Sequence, residues 1–145
     1  MYAVVQRVGR TVLKVDGKLI SEISGGLTVY LGIKVGDSEE KCEVLANKLS
    51  RLRIFEDEQG KMNLSVKDVD GEILLVSQFT LCADCSRGNR PNFSGAERPE
   101  RAEKLYKLTA QKLRETGVPV KLGVFGADMK IEQFNDGPVS IIYEI

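Results

Sequence analysis

Glu72-Ile73-Leu74-Leu75-Val76-Ser77-Gln78-Phe79-Thr80-Leu81 is the most apolar strand candidate in the chain and is read as its central strand. Leu27-Thr28-Val29-Tyr30-Leu31-Gly32-Ile33 is a second, nearly continuous apolar run, the pattern of a strand covered on both faces. Outward from these, Ala3–Val8 and Thr11–Val15 are β-rich. Asp16-Gly17, a strong signal for a type I′ hairpin, turns the chain into Lys18–Ile23. Two segments carry helical spacing instead. One opens at Asp37, with Glu40 completing a capping box, and sets Cys42, Leu45, Ala46, Leu49 and Leu52 on one stripe. The other starts at Pro99, lines up Ala102, Leu105, Leu108, Thr109 and Leu113, and stops at Gly117. The tail returns to strand at Val120–Gly126, Met129–Phe134 and Val139–Ile145, with Asn135-Asp136-Gly137-Pro138 read as a turn. The expectation is a single α+β domain over residues 1–145, with seven or eight strands and two main helices.

Composition narrows the chemistry. The 145 residues hold 21 Lys+Arg against 21 Asp+Glu, with no histidine and no tryptophan. The absence of histidine removes Ser-His-Asp and Cys-His arrangements, His-ligated zinc and the imidazole base. Zero net charge argues against nonspecific coating of nucleic acid, and no DNA partner is expected. No apolar window is long enough to span a bilayer and the N-terminus lacks a signal-peptide layout, so a cytoplasmic protein is expected. Cys82-Ala83-Asp84-Cys85 invites a redox or zinc reading. Without a second such pair or a histidine, and with Gly88 and Pro91 favouring loop, it supports neither. No metal or cofactor is expected.

Three segments break the bland pattern. Ser77-Gln78-Phe79-Thr80 places polar groups at a strand end, where backbone N–H groups leave the ladder; an ordinary polar strand terminus looks the same. Asn135-Asp136-Gly137-Pro138 is a turn on pattern alone, and a Gly-Pro bond is of the kind that can be cis. Arg87-Gly88-Asn89-Arg90-Pro91-Asn92-Phe93 lies in a long irregular stretch, 82–98, and offers cations and an aromatic ring to a phosphate or a base, as a solvated loop also would.

Together these segments resemble the D-aminoacyl-tRNA deacylase family, also called D-tyrosyl-tRNA deacylase. Met1–Val8 is similar to its first strand. Ser77–Leu81 matches its SQFTL motif, and Arg90-Pro91-Asn92-Phe93 its R-P-x-F loop. Gly126-Ala127-Asp128-Met129 and Asn135-Asp136-Gly137-Pro138-Val139-Ser140 match G-A-x-M and N-x-G-P-V-T, with Ser140 in place of the usual Thr. The resemblance implies a homodimer of β-barrel-like, antiparallel or mixed sheets, each flanked by two helices. It implies hydrolysis of the ester between a D-amino acid and the tRNA 3′ end, and removal of glycine mischarged on alanine tRNA. Ser77, Gln78, Phe79 and Thr80 would be the catalytic strand end, met at the subunit interface by a cis Gly137-Pro138 from the partner. Arg7 would brace that loop through its carbonyls. Phe93 and Arg90 would contact the terminal adenosine, with Met129 and Phe125 lining the same pocket. Thr80 as nucleophile and the ribose 2′-hydroxyl as helper are both open, and the lack of a neighbouring base favours the second. A non-catalytic dimer binding an RNA end or small ligand is the competing reading.

Overall fold

A computed structural model describes residues 1–145. Its elements run β1 (Tyr2–Val15), β2 (Lys18–Ile23), β3 (Gly26–Gly32), α1 (Glu39–Ser50), β4 (Phe55–Glu56), β5 (Met62–Leu64), β6 (Glu72–Ser77), a 3₁₀ turn (Phe79–Cys82), α2 (Pro99–Glu115), β7 (Val120–Leu122) and β8 (Lys130–Glu144). The two β-rich segments expected near the start form one 14-residue strand, β1. It pairs with β8 along both halves. Its other edge takes β3 opposite residues 2–8 and β2 opposite residues 11–15. At the hairpin, Asp16 and Gly17 have φ of 49° and 75°, the two positive values a type I′ turn requires.

From β3 the sheet continues in parallel to β6 and then β7, each reached by a helical crossover. Ser21 and Lys121 then bond carbonyls across β2 and β7, drawing the ends of the sheet toward a nearly closed barrel. β4 and β5 form a separate two-stranded ribbon.

The apolar run of β6 divides between two cores, which explains its lack of alternation. Ile73 and Leu75 join the large cluster under α1 and α2, while Leu74 and Val76 face a smaller cluster with Val8, Leu13 and Ile23. Gly26 permits the close approach of β3 and β6: its φ is +133°, and a Cβ there would lie 2.1 Å from the Glu72 carbonyl oxygen.

Three local expectations are corrected. The central strand ends at Ser77 rather than Leu81, because the Gln78 N–H still reaches the Leu31 carbonyl (2.8 Å) but the chain then winds into the 3₁₀ turn. The strand expected over 120–126 is only Val120–Leu122. Asp37 caps no helix. Ser38 is the N-cap of α1 and makes no side-chain cap bond. The Asp37 carboxylate instead accepts from the Met1 amino group (2.8 Å), the Lys34 N–H (2.7 Å) and Lys41 Nζ (2.8 Å). A buried charged amino group makes a stronger claim on a carboxylate than a helix N–H does.

Candidate active site

A cavity of about 670 Å³ opens beyond the carboxyl ends of the parallel strands β3 and β6, where crossover chains diverge and ligands commonly bind. Four separate stretches build it. Leu31 and Ile33 come from β3 and its exit, and Val76, Ser77, Gln78 and Phe79 from the end of β6. Ala96–Pro99 and Ala102 come from the long loop and the start of α2. Phe125–Met129 and Ile131 come from the β7–β8 connection and β8. The cavity therefore brings together Ser77, Gln78, Phe79, Phe93, Phe125 and Met129 from the sequence-derived candidates. Thr80, Arg90, Arg7, Gly137 and Pro138 do not line it.

The long loop is pinned at its base. Val35 N–H bonds the Gly95 carbonyl and Glu97 N–H the Ile33 carbonyl, while Asp84 and Asn92 exchange both backbone bonds. This delivers Phe93 edge-on to Phe79, with ring centroids 5.0 Å apart and planes at 61°, the arrangement ring quadrupoles favour. Phe79 remains 56% exposed, so a flat surface is left for a ligand. Arg90, by contrast, is exposed and outside the cavity lining.

At the end of β6, Gln78 Nε2 donates to Thr80 Oγ1 (2.5 Å), and Thr80 itself does not line the cavity. The first N–H groups of a 3₁₀ turn have no partner within it, which frees the amides of Phe79 and Thr80. The neighbouring amides of Gln78 and Leu81 are taken. Both carboxylates on the wall are already engaged. Glu97 accepts from the Arg98 N–H and from Arg101, which hold its carboxyl below the usual value. Asp128 pairs with Lys130 at 3.0 Å. Neither is placed as a free base.

Asn135–Pro138 is not a turn between two strands. It lies inside the continuous strand β8, and the register locates the anomaly: Ser140 faces Gln6 and Asn135 faces Val8. Residues 136–139 thus stand opposite Arg7 alone, forming a wide bulge. Gly137 at φ +124° and Pro138, which has no N–H for the ladder, account for the break; their peptide bond is cis. Arg7 is 6% exposed. Its Nη1 donates to the Ile54 carbonyl (2.7 Å), and its Nε donates to the Asp136 carbonyl (3.2 Å) and lies 3.1 Å from the Asp136 carboxylate. The carbonyl it holds is that of Asp136, not of Gly137 or Pro138.

Sequence reasoning missed the contribution of Ala96–Pro99 to the wall. The only signal was the start of α2 at Pro99, directly after the long loop. Of the paired cysteines, Cys82 is buried with Sγ 3.5 Å from the Ile33 carbonyl and Cys85 is exposed; no disulfide joins them.

The model of a family described as D-Tyr-tRNA(Tyr) deacylase matches residues 4–144. Proteins named D-aminoacyl-tRNA deacylase from Persephonella marina and Aquifex aeolicus are 52% and 51% identical over 144 residues. Each match covers 99% of this chain and 97% of the relative. A solved structure described as c-Myc DNA Unwinding Element Binding Protein superposes with a TM-score of 0.95 at 45% identity, covering 100% of this chain and 99% of that one. A probable eukaryotic D-amino acid tRNA deacylase shares the fold, with a TM-score of 0.83 at 17% identity over 99% of this chain and 98% of that chain.

Proposed function

The chain belongs to the D-Tyr-tRNA(Tyr) deacylase family, and from that premise we propose that its cavity receives the esterified 3′ end of a D-aminoacyl-tRNA and hydrolyses the ester. The observation that carries this reading is the cavity at the end of β6, where an exposed aromatic ring and an apolar wall meet beside the 3₁₀ turn that begins at Phe79. The terminal adenine stacks on Phe79 and Phe93, a mode suited to an unstacked single-stranded end. Phe125 and Met129 flank it. The amides of Phe79 and Thr80 accept the negative charge that develops on the ester carbonyl oxygen as water adds. Collapse of the tetrahedral intermediate breaks the bond to ribose O3′, which leaves with a proton, freeing the D-amino acid and the tRNA.

No histidine exists in the chain and both wall carboxylates are ion-paired. This favours the neighbouring 2′-hydroxyl of the substrate over a side-chain base. Thr80, already an acceptor from Gln78, then serves by its backbone.

Chiral selection is assigned to the bulge at Gly137 and Pro138. Its carbonyls would receive the substrate ammonium and crowd the Cα, so an L side chain meets backbone while a D side chain points outward. Glycine, with no side chain, passes, which is the basis for clearing glycine from alanine tRNA. Because 135–138 lie outside the cavity of their own chain, the bulge is supplied by a second copy in a homodimer. The unpaired outer edge of β8, with Phe134 and Ile142 about 70% exposed, suits such a contact. A charged-tRNA substrate would put this work in the cytoplasm, where translation runs; separately, no helix is long and apolar enough to cross a membrane.

The test is turnover of D-tyrosyl-tRNA, L-tyrosyl-tRNA and glycyl-tRNA for alanine. Hydrolysis of the first and third but not the second is expected. Binding without turnover would favour an RNA-end binding module. Thr80→Ala should retain most activity, whereas a tRNA ending in 2′-deoxyadenosine should lose it; the opposite pair of results would make Thr80 the nucleophile.

A further inference from the structure

On the face of β1 opposite Arg7, a directed chain of hydrogen bonds joins three strands. The Tyr30 hydroxyl donates to Gln133 Oε1 (3.2 Å). Gln133 Nε2 donates to Gln6 Oε1 and to Asn135 Oδ1, both at 2.6 Å. Gln6 Nε2 donates in turn to Ser140 Oγ (3.3 Å). Gln133 and Gln6 each accept through oxygen and donate through nitrogen, and Asn135 accepts at the end of one branch. Flipping Gln133 alone would set its oxygen against those of Gln6 and Asn135, so the three amides are oriented together. Partial burial pushes the Tyr30 phenol above its ordinary value, so it stays protonated through neutral pH.

We propose that Tyr30, Gln133 and Gln6 are positioning residues that set chiral selectivity, by clamping the two ends of the 136–139 bulge through Asn135 and Ser140. The register carries the argument. Asn135 and Ser140 are where β8 leaves and regains its ladder with β1, opposite Val8 and Gln6. Gln6 and Arg7 are successive strand residues and so project to opposite faces. Arg7 holds the bulge from the side of Ile54, and the amide chain holds both its ends from the other side. Residues 135–138 are exposed and have little packing of their own to fix them. A loop that excludes by position needs such supports. The same logic explains why Ser at 140 is acceptable where the resemblance led to Thr: the clamp uses the hydroxyl.

This inference rests on the reading that the bulge excludes L-esters. The experiment compares kcat/KM for D- and L-tyrosyl-tRNA in the full-length wild type, Gln133→Leu, Tyr30→Phe, Ser140→Thr and Arg7→Lys. Gln133→Leu should lower the D-over-L ratio about tenfold, and Tyr30→Phe, which removes one hydroxyl and keeps the ring, about threefold. Ser140→Thr should leave the ratio in place. A merely structural loss would lower both rates together and keep the ratio. If Arg7→Lys lowers the ratio while folded Gln133→Leu and Tyr30→Phe do not, the clamp is refuted and the bulge reading stands. If the wild type shows no preference, or no variant changes it, the bulge reading itself fails.

Discussion

Replacing Asp37 by Asn isolates one buried charge that ties the fold to the site. The Asp37 side chain is 1% exposed and accepts three hydrogen bonds, two of them from cations. The Met1 amino group beside it is fully buried, and its other partner is the Ile145 carbonyl. Lys41 is partly exposed and can re-solvate, so the amino group is the charge left stranded. Removing one partner of a buried pair costs about 3–5 kcal/mol, and the escape of Lys41 places this case near the lower end, about 3 kcal/mol. For a domain of this size that corresponds to a fall in Tm of roughly 6–12 °C.

Burial alone would raise the Asp37 carboxyl, but the bonds from Lys41, the amino terminus and the Lys34 N–H outweigh it and pull the value down. As pH falls, the unfolded chain therefore takes up this proton first. The contribution is complete above about pH 5 and is lost as pH drops through the ordinary Asp range and then the folded-state value. Thermal unfolding of wild type and Asp37→Asn, from pH 7 to pH 3, should show a gap that is widest at neutral pH and closes in acid. A gap below about 2 °C at pH 7, or one that persists unchanged at pH 3, would refute the reasoning. Asp37 also accepts from Lys34 N–H in the segment that pins Gly95 and Ala96, so the Phe93 loop should loosen with it.

Arg7→Lys keeps the charge but cannot span the Ile54 and Asp136 carbonyls together, so it should cost about 1–3 kcal/mol in urea unfolding and lower D-ester turnover. Thr28 Oγ1 is buried without a partner; Thr28→Val, of the same shape, should stabilise the protein by about 1 kcal/mol, read as a higher Tm. Iodoacetamide at pH 8 should label Cys85 alone in the native protein without loss of turnover, because burial pushes the Cys42 and Cys82 thiols up and encloses them. Mass spectrometry showing native labelling of all three would contradict that burial.

What could be read from the residues was what short-range physics controls. Asp16-Gly17 dictates its hairpin because both residues must take positive φ. Pro99 and Gly117 bracket α2 because one needs no N–H and the other, at φ +88°, ends the helix. The double-sided burial of β6 follows from its unbroken aliphatic run. The motif at its end was legible for the same reason, as polar residues stopping an apolar strand.

Contacts between distant segments decided the rest. Asn135–Pro138 has the composition of a turn, yet β1 continues to pair on both sides of it, so the long partner strand turns it into a bulge. Asp37 has the spacing of a cap, yet the amino group of Met1, 36 residues away, is the stronger claimant. The resemblance pointed Arg7 at the Gly-Pro carbonyls, but the partners that packing supplies are the carbonyls of Ile54 and Asp136. The cavity itself exists only where four segments meet. Local sequence determines which residues want to leave the ladder, but the competing partner for each is chosen by packing, and only the tertiary structure brings those partners within reach.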